Sequence, residues 1–352
     1  GIRDTSVTGV RRVLFRSLFL IVAVLALVAL LSAAATDSDV ELYKQFRDYM
    51  ETHEKKYDGA ERANRFENFK TNLKKIEALN KQSRTAKYGI NQFTDMSAEE
   101  FSAFPCGVKN MGDLSRHVVP AKNAEMVSSG EAVPTEWDWT TKGAVTAIKN
   151  QGQCGSCWAF STVANTEGVW FLGGHTLTSL SEQMVVDCST TDYGCQGGWP
   201  FWAFGDIITN FGGHFDTEES YPYTAMNGQC DTKSAKVGAT VANYTNWCNE
   251  QTQACSEESM MEHLVKVGPL SVCLNAESMQ SYSGGIDDPQ GCDPSAIDHC
   301  VTLVGYGTDS GTDFWKIKNS WGTGWGEQGY YRLKRGEGLC GINAVVTTAA
   351  LA

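Results

Sequence analysis

Twelve cysteines in 352 residues leave two routes open: pairing in an oxidising compartment, or metal binding. The N-terminal segment chooses between them. Residues 18–35 read LFLIVAVLALVALLSAAA, behind Arg11, Arg12 and Arg16. A basic stretch, an apolar run and small residues at Ala33 and Ala35 make a secretory leader, with cleavage expected near Ala35. The run approaches the ~18 residues that span a bilayer, so a membrane anchor is the competing reading. The chain opens on Gly1 and not on Met, so residues 1–16 are set aside in the fold reading. Secretion makes disulfides the expected fate of the cysteines.

Composition narrows the class further. Hydrophobic residues make up 42% and charged residues 20%, which excludes wholesale disorder. A formal net charge of -12 argues against nucleic acid as a partner, because phosphate binding needs a basic face. The length suits roughly two domains.

Three blocks follow the leader. Residues 37 to about 105 carry long helical periods. Residues 106–131 are polar and aperiodic and read as a linker. From Val133 onward Gly, Trp and Cys become frequent, and short apolar runs alternate with turn signals. In the first block Glu61, Arg65, Phe69, Asn72, Ile76 and Asn80 recur at helical spacing and share one face. Its mixture of charged, polar and apolar groups suggests specific contacts with another part of the chain. A solvated hairpin is the alternative. Gly89-Ile90-Asn91-Gln92-Phe93-Thr94-Asp95 follows, with alternating Asn, Phe and Asp.

The chemistry centres on residues 151–160, QGQCGSCWAF, which open a helix that runs to a stop at Gly173-Gly174. Cys157 falls at or near its N-terminus, where unpaired N–H groups and the helix dipole favour a thiolate. Gln151 can aim a side-chain N–H at a developing oxyanion, alongside the backbone N–H of Cys157. Cys154 and Cys157 could instead form a redox pair or half of a zinc site. No second close Cys or His pair completes a zinc site, and no thioredoxin-like strand precedes the pair.

A thiolate needs a base. His299 opens the apolar run His299-Cys300-Val301-Thr302-Leu303-Val304, which reads as a buried strand. Asn319 ends another strand, just before Trp321. An Asn carbonyl can orient an imidazole, and a Trp ring can screen that bond from water.

Cys-Gly-Ser-Cys-Trp, with His 142 residues and Asn 162 residues beyond Cys157, resembles the papain and cathepsin cysteine peptidases, whose known signature this is. The face from Glu61 to Asn80 resembles that family's inhibitory propeptide pattern. Gly89, Asn91, Phe93 and Asp95 resemble its second propeptide motif. The full helix pattern points to the cathepsin L and F side. No insertion resembles the occluding loop of cathepsin B.

The resemblance implies an α+β, two-lobe papain-like fold, with a helical lobe, a twisted β-barrel-like lobe and a helical inhibitory propeptide. Residues 1–35 would be the signal peptide, 36–131 the propeptide and linker, and 132–352 the mature domain. Cys157 would be the nucleophile, His299 the acid–base, Asn319 its orienting group and Gln151 the oxyanion donor, with Trp321 as shield. The helical lobe is expected up to about residue 230 and strands from about 235.

It further implies disulfides Cys154–Cys195, Cys188–Cys230 and Cys292–Cys340. Cys248 and Cys255 are expected to close a small extra loop. Cys106 and Cys157 are left outside these pairs. So are Cys273 and Cys300, which line the second specificity pocket where the family usually has small, non-Cys residues. Two buried thiols are expected there; a disulfide tightening the pocket wall is the other reading. Trp199, Pro200 and Val345 complete that pocket. Nothing charged reaches its base, so an apolar substrate residue is expected.

Gly197 and Gly198 offer an open backbone to an extended peptide, and Gly155 and Asp298 belong to the same substrate groove. The implied partners are peptide substrates, the chain's own propeptide and cystatin-like inhibitors, for a monomer needing no metal or organic cofactor. Removal of the propeptide is expected between about Glu131 and Val133, helped by acid. Asn243-Tyr244-Thr245 is a glycosylation sequon. The expected destination is lysosome, vacuole or outside the cell. Two other function classes are a papain-fold binder without turnover and an exopeptidase. The first usually lacks the Cys, His or Gln. The second needs a cap on the cleft, and the Cys248–Cys255 loop looks too small for one.

Overall fold

The computed structural model describes residues 37–104, 132–233, 235–248 and 254–352. The expected leader and the linker 106–131 lie outside the described residues, and with them Ala35, Cys106 and Glu131. The chain divides into two compact units, one through Gly59 and one from Ala60 onward. The described part of the first holds helix α1 (Asp37–Thr52), where the rings of Phe46 and Tyr49 stack at 6.1 Å.

Helix α2 (Gly59–Gln82) has neither Gly nor Pro after its first residue. It buries Phe69, Asn72 and Ile76. The shared face makes the contacts its composition suggested. Asn72 Nδ2 donates to the carbonyls of Thr94 and Met96, each at 2.8 Å. Asn80 brackets Tyr88, donating to its carbonyl at 2.8 Å and accepting its N–H at 3.0 Å. The Asn72 amide satisfies carbonyls of the 94–96 turn, and the Asn80 amide ties the helix to the end of the strand that follows. The reading of a solvated hairpin is thereby corrected. Strand β1 (Ala86–Tyr88) then pairs antiparallel with β7 (Tyr282–Asp287). Helix α3 (Ala98–Ala103) starts on a capping box between Ser97 and Glu100.

Beyond β2 (Trp137–Asp138) come α4 (Cys157–Leu172), α5 (Glu182–Cys188) and α6 (Pro200–Phe211). They pack around Trp158, Val163, Met184, Val185, Phe204 and Ile207. Strands β3 (His214–Asp216) and β4 (Val237–Thr240) form a separate pair. The larger sheet adds β5 (Asn243–Cys248), β6 (Leu270–Leu274), β8 (His299–Asp309), β9 (Thr312–Lys318), β10 (Tyr330–Lys334) and β11 (Val345–Ala350). Its path is β1-β7-β10-β9-β8-β6-β11-β5, open at both ends, with β2 alongside β8. Val272, Leu303, Trp315, Ile317, Tyr331 and Leu333 form its core. The architecture is the expected α+β arrangement of helical and β lobes. Three elements depart from the half-and-half reading: strands β2 and β3 fall before residue 230, and helix α7 (Glu257–Val267) lies among the later strands, capped by Ser256 and ended at Gly268. No helix of the described residues is long and apolar enough to cross a membrane.

The bridges Cys154–Cys195, Cys188–Cys230, Cys248–Cys255 and Cys292–Cys340 are all present. Cys273 and Cys300 are joined as well, which corrects the expectation of two buried thiols. They stand opposite each other on β6 and β8, with Cα atoms 3.9 Å apart. Strand register sets that pairing, and register is invisible without knowing which strands are neighbours.

Candidate active site

Cys157 is the first residue of α4 and fully buried. Ser156, at the cap position, points its hydroxyl to Tyr223 Oη at 2.7 Å and leaves the helix N-terminus uncapped by a side chain. The Cys157 sulfur accepts the N–H of Cys300 at 3.1 Å, which places it against the residue that follows His299.

His299 opens β8, with its side chain fully buried. Its Nε2 lies 2.8 Å from Asn319 Oδ1, which also accepts the N–H of Ser320 at 2.8 Å. Nε2 is therefore the donor, and Nδ1, which has no hydrogen-bond partner, is the ring atom left for proton transfer. Burial drives the imidazole pKa down to about 4, against the opposing effect of the Asn319 bond. Trp321 lies flat over the ring.

Gln151 is held from both ends. Its backbone N–H reaches Ser320 O at 2.8 Å, and Ser320 Oγ donates to its Oε1 at 2.7 Å. Its Nε2 donates to Cys154 O at 3.0 Å, beside the turn that carries Cys157. Ser320 was not among the expected residues. Its only sequence signal is its place between Asn319 and Trp321.

A small apolar cluster joins Cys157 to Trp199, Trp202, Cys273, Ile297, Cys300 and Val345. The expected pocket residues Trp199, Cys273, Cys300 and Val345 are therefore together. Pro200 is the first residue of α6. Ile297 and Trp202 were not foreseen. Asp298 is turned to the protein, where Oδ1 accepts Ala276 N at 2.7 Å and burial raises its pKa to about 6. Gly155 donates its N–H to Cys195 O at 2.9 Å. Gly197 has φ of 116°, a backbone that favours glycine.

A buried charge cluster also escaped the sequence reading. Lys149 Nζ lies 3.1 Å from Glu167 on α4 and 2.7 Å from Glu182 on α5. Lys318 on β9 lies 3.8 Å from Glu167. The helix that begins at Cys157 is thus tied to the strand that leads into Asn319.

Residues 91–101 reach the same place. Asn91 Nδ2 donates to Gln280 O and Gln92 Nε2 to Trp321 O, both at 2.9 Å. Phe93 and Phe101 meet the Trp321 ring edge-on, at 5.0 and 5.7 Å.

Residues 133–350 match the family model for papain family cysteine proteases. This chain belongs to the papain family. Residues 46–101 match the cathepsin propeptide inhibitor domain (I29), so this papain-family peptidase carries its own inhibitory propeptide and is a zymogen. It is 42% identical to mouse cathepsin F over 90% of its own length and 66% of that protein's. It is 40% identical to cysteine proteinase 1 of Dictyostelium discoideum, over 89% and 94% of the two chains. Digestive procathepsin L 3 of Tenebrio molitor superposes with a TM-score of 0.77 at 37% identity, over 88% of this chain and 99% of that one. The papain-family residues that sequence reasoning missed, Ser320 and Lys318 among them, flank Asn319 in sequence but act across the fold.

Proposed function

We propose that this zymogen matures into a secreted or lysosomal endopeptidase in which Cys157 attacks peptide carbonyls. The carrying observation is the His299–Asn319 bond, which leaves Nδ1 unpartnered next to the residue whose N–H meets the Cys157 sulfur. Once uncovered, the Cys157 thiol would pass its proton to Nδ1. The thiolate is stabilised by the N-terminus of α4 and by the imidazolium.

Attack on the carbonyl carbon gives a tetrahedral oxyanion near Gln151 Nε2 and the Cys157 N–H. The imidazolium protonates the leaving amine. Water, deprotonated by the same ring, then cleaves the thioester. Asn319 keeps the ring from rotating, and Trp321 keeps water from their bond.

Trp199, Ile297, Val345 and the Cys273–Cys300 bridge form an uncharged wall beside the nucleophile, which supports preference for an apolar residue in the second pocket. Gly155, Gly197, Gly198 and Asp298 would line the rest of the groove. Removal of the propeptide near residues 131–133 opens it. The exposed Asn243, at the start of edge strand β5, is accessible for glycosylation.

The test is acid activation of the purified zymogen with a thiol present, followed by titration with a thiol-directed epoxide and assay on apolar-Xaa-Arg peptides. Labelling and endopeptidase turnover that vanish in Cys157→Ala support the reading. Labelling without turnover leaves a binder, and single-residue release from an open terminus indicates an exopeptidase.

A further inference from the structure

A pair of buried carboxyl groups lies behind the glycines of the groove, outside the Cys157–His299–Asn319 group. Asp206 on α6 accepts four donors from the turn after α5. Its Oδ2 takes Thr190 N at 2.6 Å and Thr191 N at 2.7 Å, with Thr190 Oγ1 at 3.3 Å. Its Oδ1 takes Thr191 Oγ1 at 3.0 Å. Such a donor shell suits an ionised carboxylate. Asp192, in the same turn, uses Oδ1 to accept the backbone N–H of Trp199 at 2.7 Å.

Between the two acids stands a single hydroxyl. Ser189 Oγ is 2.8 Å from Asp206 Oδ2 and 2.7 Å from Asp192 Oδ2. One hydroxyl carries one hydrogen and cannot donate to two carboxylates. With that hydrogen directed to Asp206, the second contact closes only if Asp192 is protonated and donates from Oδ2 to Ser189 Oγ. Burial, with the Asp206 charge adding to it, raises the Asp192 pKa well above the usual carboxylate range, while the bond from the Trp199 N–H opposes it. Among the described residues, Asp206 is the charged side chain that acts on Asp192; the glycine turn and Trp199 bring no charge.

Asp192 also touches the groove backbone directly. A Cβ on Gly198 would stand 2.2 Å from its Oδ1, so glycine is required for the carboxyl to lie this close. Tyr193 N donates to Gly197 O at 2.9 Å, fixing the other glycine to the same turn.

We propose that Asp192 is a positioning residue for substrate: as a neutral acid bridging Ser189 and Trp199, it holds the Gly197–Gly198 edge in the shape an extended peptide pairs with, and its ionisation loosens that edge. The proposal rests on the reading of Gly197 and Gly198 as substrate groove. It goes beyond that reading by naming the group that sets the groove's shape and makes peptide affinity pH-dependent.

Asp192→Asn and Asp192→Ala separate this role from a merely structural one. An asparagine keeps both bonds, with its oxygen accepting Trp199 N and its amide donating to Ser189, and it cannot ionise. The measurement is KM and kcat of the activated full-chain product on a peptide substrate from about pH 5 to about pH 9. Losing both buried hydrogen bonds should raise KM about 5-fold or more in Asp192→Ala at acid pH, with kcat changed about 2-fold or less.

Asp192→Asn should match the parent at acid pH and lack the alkaline rise in KM that the parent shows. A parent KM flat to about pH 9, or an Asp192→Asn that behaves like Asp192→Ala throughout, overturns the proposal. If Asp192→Ala does not fold, the asparagine variant still carries the pH test. Epoxide titration of each protein tells the two failures apart: no labelling of the parent defeats the assignment of Cys157, whereas full labelling with an unmoved KM defeats the role of Asp192.

Discussion

Trp321 lies face to face with His299, with ring centroids 4.7 Å apart and planes at 18°, and Phe93 of the pro-region meets the same indole edge-on. One aromatic ring therefore touches both the histidine and the propeptide.

Removing that contact should weaken inhibition. Phe93 is buried against Trp321, Phe101 and Phe104, and Phe→Ala at such a site costs about 3–5 kcal/mol. The Phe93→Ala zymogen should activate faster than the parent and at higher pH. The rate of mature-chain appearance on gels, across pH, measures it. An unchanged rate would place the inhibitory contacts elsewhere.

The buried imidazole sets a pH dependence of zymogen stability. Its pKa falls from 6.5 to about 4 on folding, so the unfolded chain binds the proton more readily. Stability is then unaffected above about pH 6.5, and about 3 kcal/mol is lost progressively as pH falls toward 4. Urea midpoints of parent and His299→Gln should diverge over that window, with the parent losing more. Parallel pH curves would show that His299 is not buried neutral.

The Cys273–Cys300 bridge should appear as a linked pair in a non-reducing peptide map. Replacing both by Ala should lower the unfolding free energy by roughly 2–4 kcal/mol, the usual effect of opening a loop of this length. Two free thiols in the native protein would restore the original expectation of an unbridged pocket wall.

Much of this was legible because papain-family chemistry is written in local strings. The helix stop after Leu172, the asparagine face of α2 and the strand opening at His299 are each set by neighbours within a few residues. Cys273 opposite Cys300 was not legible, because it depends on β6 and β8 being neighbours in register. Nor was Ser320 as the partner of Gln151, since its hydroxyl meets an amide 169 residues away in sequence. The charge cluster of Lys149, Glu167, Glu182 and Lys318 was hidden for the same reason. Each of these residues alone reads as ordinary surface charge, and only the fold buries them together.

The pairing of Cys157 with His299 is tested most directly by the rate at which a small alkylating agent modifies Cys157 in the activated, reduced enzyme as pH is varied. The parent should react fast down to mildly acid pH, because the imidazolium holds the sulfur ionised. His299→Ala should follow an ordinary thiol, with reactivity falling away below about pH 8.5. If both proteins trace the same curve, His299 does not ionise Cys157, and the mechanism fails.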